Sequence, residues 1–153
     1  MTGREWLALA GWIALCVSGG LIGGLATSAD TAWFAALRKP SWNPPSWVFA
    51  PVWTTLYVMM GVAAWRVWRR RTRNAALWLF AVQLALNFAW SFIFFSAREI
   101  DLAFAEIVVL WAFIAATIIA FSRVDRAAAW LMGPYLAWVS FAAVLNGTIV
   151  RLN

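Results

Sequence analysis

Three apolar stretches of the sequence carry aromatic and amide side chains at helical spacing. Trp53 and Tyr57 lie four residues apart, and so do Gln83 and Asn87, so each pair shares one face of an α-helix. The complete set is Trp53, Tyr57, Gln83, Asn87, Trp90, Trp138, Ala142, Leu145 and Asn146. Two interpretations fit this pattern. The amides can hydrogen-bond between helices and hold a bundle together, or the rings and amides can line a pocket for a flat, largely apolar ligand.

The composition excludes several conventional active sites. The sequence has no histidine and a single cysteine, Cys16, which excludes imidazole ligation of haem, histidine acid–base catalysis, an internal disulfide and a cysteine-based zinc cluster. The sequence shows no nucleophile–base pair and no metal-binding pattern. Glu106 lies near the start of an apolar stretch, where we expect it at the membrane interface with Glu99 and Asp101. A place in an intramembrane proton path is the alternative.

The elements that position these side chains follow from the hydrophobicity of the chain. Hydrophobic residues make up 65% of the 153 residues and charged residues 12%, against roughly 45–50% and 25% in soluble proteins. Five apolar runs are long enough to cross a hydrocarbon core of about 30 Å as helices. They lie at about 5–27, 46–68, 75–95, 102–122 and 127–149. The sequence therefore predicts an all-α membrane protein, in which residues 1–153 form a single domain, a bundle of five transmembrane helices.

The connection at about 28–45 differs from the short links between the later runs. Residues 31–37 have the pattern of a short interfacial helix, and three prolines restrict the backbone after it. These prolines and the tryptophans in or beside the connection are Pro40, Pro44, Pro45, Trp33, Trp42 and Trp47. Tryptophan anchors chains at the membrane–water boundary, but three indoles on a stiff loop also suit a lid over an apolar pocket. The short later links predict that successive helices pack as antiparallel neighbours.

The basic residues divide unequally between the two ends of the predicted bundle. Eight lie at the end that carries the N-terminus: Arg4, Arg66, Arg69, Arg70, Arg71, Arg73, Arg123 and Arg126. Four lie at the opposite end: Arg38, Lys39, Arg98 and Arg151. The positive-inside rule therefore predicts a cytoplasmic N-terminus and an external proline loop. We attribute the net charge of +6 to topology and contact with the lipid bilayer rather than to nucleic acid. The expected location is a bacterial cell membrane, with the outer membrane as the alternative.

Small residues recur every four positions in the first and third apolar runs. They are Gly19, Gly20, Gly23, Gly24, Ala81, Ala85 and Ala89. Such spacing lets helix backbones approach closely, either within one chain or between two copies of it.

Five short motifs combine tryptophan, proline and amide residues. They are K-P-S-W-N-P-P at 39–45, W-T-T-L-Y at 53–57, Q-L-A-L-N-F-A-W at 83–90, P-Y-L-A-W at 134–138 and L-N at 145–146. Together they resemble the TspO/MBR family of tryptophan-rich sensory proteins and translocator proteins, the latter also called peripheral-type benzodiazepine receptors. The resemblance runs from about Trp33 to Asn146. It implies a five-helix bundle, often a homodimer, with a pocket that the first loop closes.

The resemblance also implies a ligand. Family members bind porphyrins such as protoporphyrin IX, and some bind benzodiazepine-type drugs and sterols; no resident cofactor and no metal are implied. By matching motif, Trp53 and Trp138 flank the pocket. The other matching positions are Tyr57, Asn87, Trp90, Ala142, Leu145, Trp33 and Trp42. Arg38 and Lys39 suit the porphyrin carboxylates. Gly147 stands where the sterol-binding pattern has a tyrosine, which argues against sterol binding there.

Three functions follow as hypotheses. The leading one is a membrane receptor, sensor or transporter for porphyrins, which is not an enzyme. The second is an enzyme that degrades protoporphyrin IX in light, with Trp53 and Trp138 taking part, since the lack of acid–base residues fits photochemistry better than hydrolysis. The third is a membrane scaffold or regulatory protein whose pocket is vestigial.

Overall fold

The computed structural model describes residues 2–28, 31–70 and 75–153. Its helices are α1 (Gly3–Ser28), α2 (Thr31–Ala36), α3 (Phe49–Arg69), α4 (Ala75–Ser91), α5 (Ile100–Ser122) and α6 (Arg126–Leu152). A 3₁₀ turn, Ser46–Val48, leads into α3, and a π-helical turn, Phe92–Ser96, extends α4. All helices except α2 are long and apolar enough to cross a membrane, so the prediction of an all-α protein with five transmembrane helices is confirmed. Arg71, Arg73 and positions 29–30 of the first loop lie outside the described residues.

The five long helices form a ring in the order α1, α3, α6, α5, α4 and back to α1. The successive helices α4 and α5 are neighbours, as are α5 and α6, in agreement with their short links. The helices α3 and α4, however, contact each other less than each contacts α1. A short link holds two helices together at one end only, and α1 packs against both. Gly20 of α1 faces the ring of Tyr57 in α3, while Gly19 faces the ring of Phe88 in α4.

The helices α1 and α3 also approach each other at Gly61. A Cβ atom at this position would lie 2.6 Å from the Cα and 2.8 Å from the backbone nitrogen of Ile13. By contrast, Gly24 near the end of α1 has no heavy atom within 4 Å of such a Cβ. Most of the glycine pattern in α1 therefore serves packing within the chain.

The outer surface of the ring is apolar, as contact with lipid requires. Large side chains exposed on it include Leu7, Leu21, Leu25, Val108 and Ile119. Trp6, Trp78 and Trp130 are exposed near the starts of α1, α4 and α6, which lie at the same end of the bundle. Indoles at this level form the aromatic belt that is common at membrane–water boundaries.

Asp125 starts α6 at this same end. Its carboxylate accepts a hydrogen bond from the backbone N–H of Ala128 at 3.1 Å, as an N-cap does. The guanidinium groups of Arg66 and Arg70 lie 3.1 and 3.2 Å from it. Burial raises the pKa of Asp125, but these three donors outweigh burial, so the pKa lies below its ordinary value. The ion pairs fix the end of α3 against the start of α6.

Candidate ligand-binding site

Two tyrosines and an asparagine form a hydrogen-bonded chain across three helices. The Tyr57 hydroxyl of α3 donates to Asn87 Oδ1 of α4 at 2.6 Å, and Asn87 Nδ2 donates to the hydroxyl oxygen of Tyr135 in α6 at 2.9 Å. All three side chains are buried. Both ends of the Asn87 amide are therefore used within the protein, and the chain ties α3, α4 and α6 together.

Tyr135 is a member of this chain that the sequence patterns did not single out. It lies three residues before Trp138, so both side chains fall on one face of α6, and this spacing is the signal that identifies it. The Tyr135 ring meets the edge of Trp53, with centroids 6.3 Å apart, and Trp53 stacks on Tyr57, with centroids 5.5 Å apart. Trp53, Tyr57 and Tyr135 thus form an aromatic wall between α3 and α6.

A second group of rings connects α6 with the first loop. The Trp138 ring lies 5.9 Å from Phe49 and 5.4 Å from Phe141, and Trp42 of the loop lies 5.9 Å from Phe141. Ala142, one turn from Trp138, packs against the main core. The indole Nε1 of Trp138 is buried and has no hydrogen-bond acceptor within residues 2–28, 31–70 and 75–153. A buried donor without an acceptor costs about 1–3 kcal/mol, so a bound acceptor there would be stabilised.

Gln83 and Glu106 also bury polar atoms that have no partner in the part of the chain that the structure describes. Gln83 lies one turn from Asn87 and is fully buried, and its Oε1 accepts no hydrogen bond from the described part of the chain. Glu106 is in the second turn of α5, and neither of its buried carboxylate oxygens has a partner in that part. Glu99 and Asp101, by contrast, are exposed. Burial of an unpaired carboxylate is costly, which sets Glu106 apart from its two acidic neighbours.

Trp33 and Leu145 belong to a second cluster nearer the first loop, and Trp90 packs against both this cluster and the main core. Trp90 donates from Nε1 to Asn146 Oδ1 at 3.2 Å and stacks on Phe94 with centroids 5.0 Å apart. Trp33 meets the edge of the same Phe94 ring at 5.8 Å, and Leu145 is buried. Here the polar contacts join α4 to α6, and the rings pack the first loop against the end of the bundle.

The two basic residues of the loop differ in what they contact. The Lys39 ammonium donates to backbone carbonyls at and after the end of α2, including that of Phe34, and lies 4.6 Å from the Phe34 ring centroid. It thereby caps α2, where a cation is favourable. The Arg38 backbone exchanges two hydrogen bonds with the Asn153 side chain, at 3.0 and 2.9 Å, and Arg38 is exposed. Of the two cations, Lys39 is engaged by the loop itself and Arg38 faces the surroundings.

Gly147 packs closely against α5. A Cβ atom at this position would lie 2.8 Å from the ring of Phe104. A tyrosine in its place would require that ring to move.

Comparison with known proteins agrees with the motifs. Residues 12–152 match the model of the TspO/MBR family. The chain is 45% identical to the tryptophan-rich protein TspO of Chlorobaculum tepidum over 98% of both chains. It is 39% identical to the translocator protein of Ovis aries, over 92% of this chain and 87% of that one. It is also 39% identical to the tryptophan-rich sensory protein of Cereibacter sphaeroides, over 97% and 93%. The chain therefore belongs to the TspO/MBR family and is a multi-pass integral membrane protein, which supports a role as a membrane receptor.

Proposed function

We propose that this protein is a membrane receptor, sensor or transporter that binds porphyrins, such as protoporphyrin IX, and related flat apolar ligands between α3, α4 and α6. The observation that carries the proposal is the indole N–H of Trp138, which is buried among aromatic rings beside the first loop and has no acceptor among the described residues. A carboxylate or carbonyl oxygen of a ligand would satisfy this donor.

Aromatic side chains on α3 and α6 favour a planar ligand. Trp53, Tyr57 and Tyr135 already pair with one another by stacking and edge contacts. Such contacts contribute about 0.5–1.5 kcal/mol each beyond burial, and a porphyrin offers a broad conjugated face for them. The unpaired Oε1 of Gln83 supplies an acceptor in the same region.

The carboxylate tails of a porphyrin need cations at the mouth of the site. Arg38 is exposed on the first loop, and a guanidinium binds carboxylates in a bidentate manner. Lys39 would have to release the carbonyls of α2 before it could bind a tail. We therefore assign the first contact with the tails to Arg38.

The names of two relatives, translocator protein and tryptophan-rich sensory protein, fit transport or sensing by such a site. The porphyrin is the ligand in this proposal, and the protein requires no further cofactor. We also propose a homodimer in the bacterial cell membrane, with the outer membrane as the alternative location.

The test is titration of the detergent-purified protein with protoporphyrin IX, followed by tryptophan fluorescence quenching. The Trp138→Phe variant keeps a ring but removes the N–H. Loss of one hydrogen bond to a carboxylate corresponds to about 1.5–3 kcal/mol, so affinity should fall by about ten- to 150-fold.

Trp130→Phe is the matched control, since this indole is 80% exposed on the outer surface, and its affinity should equal that of the wild type. Equal affinities for Trp138→Phe and Trp130→Phe would contradict the assigned site. A melting temperature that protoporphyrin IX does not raise would instead favour a scaffold with a vestigial pocket, because a ligand that binds the folded state stabilises it.

A light-dependent enzyme that degrades protoporphyrin IX is the second candidate. Stacked Trp53 and Tyr57 rings would lie beside the bound porphyrin, and both are readily oxidised side chains. Illumination of the complex in air should then produce a bilin-like absorbance that requires both the protein and Trp138. No such band above that of free protoporphyrin IX would rule out this activity.

A further inference from the structure

A small polar cavity lies at the end of the bundle that carries the N-terminus, remote from the first loop. Its volume is about 190 Å³, and it is lined by Arg66, Arg69, Arg70 and Asp125. Sites for drug-sized ligands are usually about 300–1,000 Å³. The cavity is therefore suited to a single small polar group.

Acidic side chains hold the three arginines in place around this cavity. The Asp125 side chain, only 5% exposed, pairs with Arg66 and Arg70. Arg69 donates from Nε to Glu5 at 3.1 Å and lies 4.6 Å from the Trp65 ring centroid. These contacts fix long side chains that would otherwise lose conformational freedom on binding a ligand.

The arginines retain unused hydrogen-bond donors. A guanidinium has five N–H groups, and the contacts made within the described ranges use Nε and Nη2 of Arg66, Nη2 of Arg70 and Nε of Arg69. The cavity is also open, since the three arginine side chains are 34%, 59% and 40% exposed. Its lining carries three positive charges and one negative charge. Glu5 beside Arg69 adds a second negative charge, so a net positive charge remains that favours an anion.

The position of the cavity at the membrane surface indicates what kind of molecule carries the anion. It lies where one membrane-spanning segment ends at Arg69 and another begins at Arg126, at the end marked by the exposed indoles of Trp6, Trp78 and Trp130. Lipid headgroups occupy this level, and basic pockets between transmembrane helices bind anionic headgroups. We propose that the cavity binds the phosphate group of an anionic phospholipid.

The test is thermal unfolding of the full chain in neutral detergent, titrated with dioleoylphosphatidylglycerol or with dioleoylphosphatidylcholine at matched amounts. Phosphatidylglycerol should raise the unfolding temperature more than phosphatidylcholine does. Removal of an arginine that binds the phosphate directly removes a charge-assisted hydrogen bond, which corresponds to about tenfold in affinity or more. The Arg69→Gln and Arg70→Gln variants should therefore each need at least about tenfold more phosphatidylglycerol.

Arg126→Gln is the matched control, because it removes the same charge from an exposed position at the same end, outside the cavity. It should lose only the general attraction of one surface charge for anionic lipid, which is about fivefold at most. For each variant, the rise in unfolding temperature with phosphatidylglycerol is compared with the rise with phosphatidylcholine. A loss of stability that does not depend on the lipid therefore cancels.

Equal responses to the two lipids would overturn the proposal, as would an equal weakening in Arg126→Gln and Arg70→Gln. A third titration of the same protein uses inorganic phosphate. If phosphate stabilises the wild type at the cavity and phosphatidylglycerol adds nothing, the site takes a soluble anion, and the lipid assignment is wrong.

Discussion

Replacement of Gly61 with alanine is expected to push α1 away from α3 and destabilise the bundle. The added Cβ would lie 2.6 Å from the Cα, 2.8 Å from the backbone nitrogen and 2.9 Å from Cγ1 of Ile13. Two of these atoms belong to the backbone, so no rotamer change of Ile13 relieves the overlap. Favourable carbon contacts lie at about 3.5–4.0 Å, so the two helices must separate locally by about 1 Å.

The change in the free energy of unfolding caused by Gly61→Ala follows from two opposing effects. Overpacking of a close contact costs about 1–3 kcal/mol, while alanine is favoured over glycine inside a helix by about 0.5–1 kcal/mol. The midpoints of these two ranges leave a net loss of about 1 kcal/mol. At roughly 2–4 °C per kcal/mol for a chain of this size, the unfolding temperature should fall by about 2–5 °C.

The measurement is thermal unfolding in detergent, followed by intrinsic tryptophan fluorescence. Gly11→Ala is the control, because a Cβ at Gly11 of α1 meets no heavy atom within 4 Å, and this variant should be as stable as the wild type or slightly more stable. If Gly61→Ala unfolds at or above the wild-type temperature, the close backbone approach of α1 and α3 is wrong.

Two further variants test the hydrogen bonds and ion pairs. Asn87→Leu removes two hydrogen bonds between helices, each worth about 0.6 kcal/mol on average in membrane proteins, so its unfolding temperature should fall by a few degrees; an unchanged temperature would mean that these bonds do not stabilise the bundle. Asp125→Asn keeps an N-cap residue but loses the charge that pairs with Arg66 and Arg70. Because the pKa of Asp125 is lowered in the folded protein, its carboxylate stabilises the fold above about pH 4 and loses this contribution as the pH falls further. Between pH 7 and pH 3, the unfolding temperature of the wild type should therefore decline more steeply than that of Asp125→Asn, and parallel declines would contradict the assigned ion pairs.

The number of membrane-spanning helices could be predicted because length and hydropathy are local properties of the chain. The order of the helices around the ring could not. The short link after Arg69 predicts that α3 and α4 pack side by side, yet α3 packs mainly against α1 and α6. Contacts such as that of Gly61 with Ile13 decide the order, and they depend on the fit of two surfaces rather than on spacing within either helix.

The candidate site could likewise be predicted from the sequence only in part. Helical spacing grouped Trp53 with Tyr57 and Gln83 with Asn87, and the structure joins these two faces through the bond between Tyr57 and Asn87. The capping role of Lys39 could not be predicted, because it depends on where α2 ends. Spacing likewise cannot tell which buried polar atoms find partners, since those partners lie on other helices.

The two hydrogen bonds between Asn153 and the backbone of Arg38 couple distant parts of the chain. They hold the part of the first loop just after α2 against the C-terminal end of α6. Displacement of this part of the loop requires either that both hydrogen bonds break or that the end of α6 moves with it. Since α6 also bears Tyr135 and Trp138, a ligand that entered past the first loop, as proposed above, without breaking these bonds would also displace the helix that carries part of the aromatic wall.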